Sequence, residues 1–180
     1  MATSIPEIKK ILEELDLDYQ ECPGKDFLRV GFKSDHYKDS DGDNHISIVV
    51  ALEENGEFIK FIVPNAYKFD TNLSSFHKMA LFQTLLQVSH MTKMMQFEYD
   101  IDQGDIWAII EFPIEDSKLT KTQLKRCIIS MAGVLDKYHD VIMDAIKHGL
   151  TPESEKQQRK AFEEYQRVRR EERRQQLGND

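Results

Sequence analysis

Apolar positions recur along this chain in two periods, and the switches between helical spacing and strict alternation mark its elements. Ile8, Ile11, Leu12 and Leu15 share one face of a helix predicted from Ile5 to Leu15, with Ser4 and Glu7 spaced as a capping box. Pro23-Gly24 then breaks the chain before a first strand at about Phe27 to Phe32. Asn55-Gly56, the strongest short hairpin signal, predicts a type I′ turn between the next two strands. Counting outward from that turn sets Leu52 opposite Ile59, Val50 opposite Phe61 and Ile48 opposite Val63. All six side chains then fall on one face, so turn chemistry and apolar alternation agree.

The stretch from Leu73 to Met91 is different, because it is apolar almost all the way round. At 100° per residue, Leu73, Leu81, Leu85, Val88 and Met91 form one face, and Phe76, Met79, Phe82 and Leu86 form another roughly opposite. The chain's own sheet can cover one face; the second predicts cover by another protein. A hairpin follows around Asp102-Gln103-Gly104-Asp105, with Met95, Phe97, Tyr99 and Ile101 facing inward with Ile106, Ala108, Ile110 and Phe112. Trp107 and Ile109 point to the other side, where they join the expected protein-binding surface. A last long helix opens with a Thr120/Gln123 capping box and a Leu119/Leu124 hydrophobic staple. Its stripe is Leu124, Ile128, Met131, Leu135, Tyr138, Ile142 and Ala145, and Gly149 ends it. The expected order is α-β-β-β-α-β-β-α, an α+β domain with helices packed on an antiparallel sheet over residues 1–150.

Residues 151–180 change character. Thr151-Pro152 opens a further helix, expected to run to about Gln176, and residues 151–180 interleave eight basic with seven acidic residues. Glu155/Arg159 and Glu163/Arg167 are favourable i,i+4 pairs, and Phe162 and Tyr165 are the anchors by which this helical extension would dock.

Charge narrows the partners. Over 180 residues, 24 basic and 32 acidic side chains give −8, which argues against nucleic acid and anionic membrane surfaces. Cys22 and Cys127, the two cysteines, form neither a disulfide framework nor a zinc-ligand spacing. With no signal-peptide run and no apolar stretch of membrane-spanning length, the expected location is cytoplasmic.

Candidate chemistry is sparse. Asp39-Ser40-Asp41-Gly42-Asp43-Asn44 resembles the start of a calcium loop, but its glycine is fourth rather than sixth and Val50 stands where a closing glutamate belongs. It reads as a polar connection between strands, and no metal is expected there. His36 and His45 bracket the loop, and His77 and His90 sit on the doubly apolar helix. Asp136, His139, Asp140 and Asp144 cluster on the long helix away from its stripe, as a solvated face would. No G-x-S-x-G elbow, phosphate-cradling glycine loop or H-E-x-x-H pair is present, so neither catalysis nor a cofactor is expected.

Phe97-Glu98-Tyr99-Asp100, Gly104-Asp105-Ile106, Pro113-Ile114-Glu115, Leu119-Thr120 and Gln123-Leu124 together resemble the YbjN family. The likeness runs over about residues 4–148 and rests on a strand, an acidic-Gly turn, a strand ending in Pro and a capped helix. It implies the fold of type III secretion chaperones and a non-enzymatic, often dimeric, bacterial protein. Two functions follow as expectations: a chaperone-like or adaptor module that binds a protein client as a homodimer, or a sensory or transcription-related regulator. An enzyme of unrecognised type ranks third.

Overall fold

The computed structural model describes residues 3–22, 24–115, 117–153 and 156. Helix α1 spans Ile5–Glu14, and its start is closed by the Glu7 carboxylate, which accepts the Ser4 N–H at 2.9 Å. Strands β1 (Tyr19–Glu21), β2 (Phe27–Lys33), β3 (His45–Glu53) and β4 (Phe58–Lys68) follow. Helix α2 (Ser75–Met91), strands β5 (Gln96–Tyr99) and β6 (Asp105–Pro113), and helix α3 (Lys121–His148) complete the order. The fold is α+β, as the sequence predicts, with one strand more: β1 is three mostly polar residues, too short for alternation to reveal.

All six strands are antiparallel, in the order β1-β2-β3-β4-β6-β5. Across the β3–β4 hairpin, Leu52 lies opposite Ile59 and Val50 opposite Phe61, which is the register read outward from Asn55-Gly56. Asn55 and Gly56 both take positive φ, as a type I′ turn requires, and the Glu57 N–H donates to the Glu54 carbonyl at 3.2 Å. Glu54 is left-handed as well, so strand pairing begins only at Glu53 and Phe58.

One face of the sheet carries every helix. Leu28, Val30, Ile48, Val50, Ile59 and Phe61 project into a core completed by Ile8 and Leu12 of α1, Leu81, Leu85 and Val88 of α2, and Leu124, Ile128, Met131 and Leu135 of α3. Alternation sends Arg29, Val49, Lys60, Ile62, Trp107 and Ile109 to the opposite, uncovered face. The long helix begins and ends where its residues dictate. Thr120 and Gln123 cap each other reciprocally, and Gly149, at φ +64°, supplies the left-handed residue that closes it.

Two irregularities shape the molecular surface near β6. Between Val63 and Tyr67, β4 inserts a bulge opposite β6: Val63 pairs with Ala108, but Tyr67 pairs with Ile106. The β5–β6 turn is also pressed against the chain leading into α2, since Phe69 N–H donates to the Gly104 carbonyl at 2.8 Å. A β-carbon at Gly104 would lie 2.0 Å from the Phe69 carbonyl oxygen, so only glycine fits.

Candidate protein-binding surface

Helix α2 runs along α3 and touches the edge strand β5, which leaves one side outward. Its inward residues are Ala80, Leu81, Thr84, Leu85 and Val88, all buried. On the outward side Phe76 is 68% exposed, Met79 59% and Leu86 71%. Together with Gln83 and His90, these positions are spaced alternately three and four residues apart, the spacing of a seam between two helices. No Asp or Glu occurs anywhere in the helix, although the chain as a whole carries −8. The outward stripe therefore offers a helical partner apolar area without a carboxylate to desolvate.

The two-faced reading of this helix needs two corrections. Met91, expected on the inner face with Leu81 and Leu85, is half exposed, because it is the last helical residue before the chain turns into β5. Phe82, expected on the outer face, is half-buried: its ring meets Tyr99 of β5 edge-on, with centroids 5.1 Å apart. Phe82 thus sits at the rim of the outward stripe rather than within it.

The uncovered sheet face also differs from expectation. Trp107 is 39% exposed, but its indole N–H donates to Asn65 Oδ1 at 2.9 Å, tying β6 to the bulge of β4. Ile109 does point away from the helices, yet it is completely buried beside its pairing partners Ile62 and Gln96, so it offers nothing to an incoming protein. Ile101, expected to face the core, is largely exposed because β5 ends at Tyr99 and the chain has already entered the turn.

The acidic side of α3 is more than a solvated face. The Asp136 carboxylate accepts hydrogen bonds from the Ser34 hydroxyl and from the N–H groups of Asp35 and His36 at 2.9 and 2.8 Å. Those bonds, the Ser34 hydroxyl foremost, hold its pKa down to about 2. The residue pins the β2–β3 connection onto α3. His139, placed by sequence on the same polar side, is instead buried against Tyr37 and Tyr67. In the Asp39–Asn44 loop, Asp39 Oδ1 accepts the N–H groups of Asp41 and Asp43 at 3.0 and 2.9 Å, the geometry of a self-closed polar turn. Among the described residues, no three His, Cys, Asp or Glu side chains gather as metal ligands would, and no helix is long and apolar enough to cross a membrane.

Cys22 and Cys127 are both free, and burial pushes the Cys127 thiol up to about 11. Phe162, Tyr165 and almost all of the expected C-terminal helix lie outside the described residues.

Comparison with solved structures places the architecture. The crystal structure of YbjN, a candidate transcription regulator from E. coli, superposes with a TM-score of 0.51 at 9% sequence identity, covering 75% of this chain and 90% of that one. A chain of the HopA1-SchA chaperone–effector complex gives a TM-score of 0.47 at 11% identity, covering 73% of this chain and 88% of that one. No protein-family model matches the sequence, and no curated protein matches it. The chain has the YbjN-type α+β fold, and a likeness at this identity is one of fold.

Proposed function

We propose that this protein is a non-enzymatic protein-binding module, chaperone-like or adaptor, that forms a homodimer through the outward stripe of α2. In this reading residues 1–150 form the binding domain, and the 151–180 extension docks through Phe162 and Tyr165. The observation that carries the reading is the stripe itself: Phe76, Met79 and Leu86, all well exposed, on a helix without a single carboxylate. Covering such side chains contributes roughly 1–2 kcal/mol each when they are already about one-third buried. Large apolar side chains exposed together along one helix face mark an interaction surface rather than ordinary surface scatter. The first partner it suits is a second copy of the same helix, since the three-four spacing lets two such stripes interlock. Client binding would then use the apolar rim around that contact, including the edge of Phe82, with Trp107 on the opposite face of the sheet as a separate contact.

Sedimentation velocity on the full chain tests the assembly. The unmodified protein is expected to sediment as a dimer and Leu86→Glu as a folded monomer with an unchanged circular dichroism spectrum. A wild-type chain that stays monomeric at high concentration would falsify the dimer. A pull-down from native cytosol then separates the two roles: an abundant single client supports chaperoning, and a transcription or signalling component supports regulation.

A further inference from the structure

A cavity of about 390 Å³ opens where the β4 bulge meets the C-terminal half of α3 and the loop after Tyr37. Its floor is Tyr67, His139 and Met143. Tyr67 lies over the imidazole at 5.8 Å between ring centroids, and Tyr37 closes the back edge-on at 5.3 Å from His139.

Two observations distinguish this space from a simple gap in side-chain contacts. The Tyr67 hydroxyl and His139 Nδ1 are both buried and have no hydrogen-bond partner among the described residues. Tyr67 is 4% exposed and His139 7%, and folded proteins rarely leave polar groups at that depth without a partner. The mouth, secondly, is locally positive. Exposed Lys38 and Lys147 form no ion pair among the described residues, while both carboxylates of the lining are engaged: Asp105 with Lys68 at 3.0 Å, and Asp39 with its own loop. The lining thus carries three lysines, Lys38, Lys68 and Lys147, against two carboxylates, in a chain of overall charge −8.

We propose that this cavity binds a small organic monocarboxylate. Its carboxylate accepts from the Tyr67 hydroxyl and the Lys38 and Lys147 ammonium groups, and its apolar body lies on the Tyr67 and His139 rings and Met143. The floor is built to be neutral. Burial keeps the Tyr67 phenol well above its ordinary pKa. For His139, burial pushes the pKa down, Asp140 acts against it, and Lys147 and Lys38 push the same way as burial. With its proton on Nδ1, the imidazole adds a second neutral donor. A phosphate dianion suits the site poorly. No arginine lines it, and the negative end of the α3 dipole lies close by. This inference concerns a different surface from the α2 stripe and stands whether or not the chain dimerises.

Imidazole ¹H–¹⁵N spectra of the full chain provide the test, titrated in turn with benzoate and hexanoate, with His139 assigned through His139→Gln. At least one of these acids is expected to shift the His139 signals saturably at millimolar concentration and to raise Tm. The double variant Lys38→Gln/Lys147→Gln should weaken that response about tenfold. Both lysines are exposed, so that variant keeps the parent fold and its own Tm. Benzyl alcohol, lacking the carboxylate, should leave His139 unmoved. Three results would overturn the proposal: no saturable shift with either acid, an equal shift with benzyl alcohol or inorganic phosphate, or a response undiminished in the lysine variant.

Discussion

Helices α2 and α3 lie side by side on the same face of the sheet and bury similar aliphatic side chains, yet their outer sides are built in opposite ways. The outer side of α2 is Phe76, Met79 and Leu86, with no acidic residue on the helix. The outer side of α3 is mostly charged, with Ile129 its one large exposed apolar side chain, and one of its charges, Asp136, is structural: it gathers the Ser34 hydroxyl and successive N–H groups of the loop that follows β2. The difference shows that polarity alone does not sort solvent-facing residues into working and idle ones. A polar side chain can complete the fold within the chain, whereas the apolar outward stripe is left well exposed by the described residues of its own chain.

The sharpest way to break that contrast is to truncate two adjacent leucines of α2. Leu85 is buried against the core and Leu86 points outward. Leu85→Ala should lower the unfolding free energy by about 2–5 kcal/mol, because the cavity it leaves cannot collapse. The loss should not depend on protein concentration. Leu86→Ala should cost less than about 0.5 kcal/mol in dilute solution. Its cost should grow with concentration, since a side chain buried only on association stabilises by mass action. Urea titrations at two protein concentrations measure both. A Leu86→Ala cost that is large and concentration-independent would mean the stripe is covered within the monomer.

On α3 the matching change is Asp136→Ala, expected to cost on the order of 1–3 kcal/mol through loss of charge-assisted bonds to the loop. Its pH dependence follows from the direction of the pKa. The folded carboxyl is held down to about 2 against an ordinary 3.8, so its contribution is complete above the higher value and lost as pH falls toward the lower. The stability gap between wild type and Asp136→Ala should therefore be constant near neutrality and shrink between pH 4 and 2. Chemical denaturation across that range is the check, and a gap that does not narrow would show that the carboxylate charge is not what holds the loop.

How much of the fold and of the binding surface is legible in the sequence depends on whether the signal is local. The capping residues Ser4, Glu7, Thr120 and Gln123 act within four positions of one another, and the Asn55-Gly56 turn carries its own register, so helix starts and the β3–β4 pairing can be read directly. Periodicity likewise finds the inward stripe of α2 and of α3. It cannot place Ile109 or Phe82, because their cover comes from Ile62, Gln96 and Tyr99, on strands brought beside them only by folding. Strand β1 escapes for a related reason: three residues hold too little alternation to register, and β2 is what makes them a strand. The helical wheel misplaces His139 by setting it beside Asp136 and Asp140. The β4 bulge brings Tyr67 over it and turns a polar helix face into the floor of a cavity.

The smallest expected effect compares the two helix starts. At α3 the Thr120 hydroxyl accepts the Gln123 N–H at 3.2 Å, and the Gln123 side chain returns a bond to the Thr120 N–H at 2.9 Å. At α2 the Ser74 hydroxyl is 2.9 Å from His77 Nδ1, and the His77 N–H reaches it only at 3.5 Å, so this cap is mostly engaged with a side chain instead of the backbone. Removing a reciprocal box exposes two orphan donors, and removing a stretched cap hardly changes one. Thr120→Ala should therefore cost about 1 kcal/mol and Ser74→Ala only a few tenths. Parallel urea titrations of the two variants compare them, and equal penalties would mean that α2 is capped as firmly as α3.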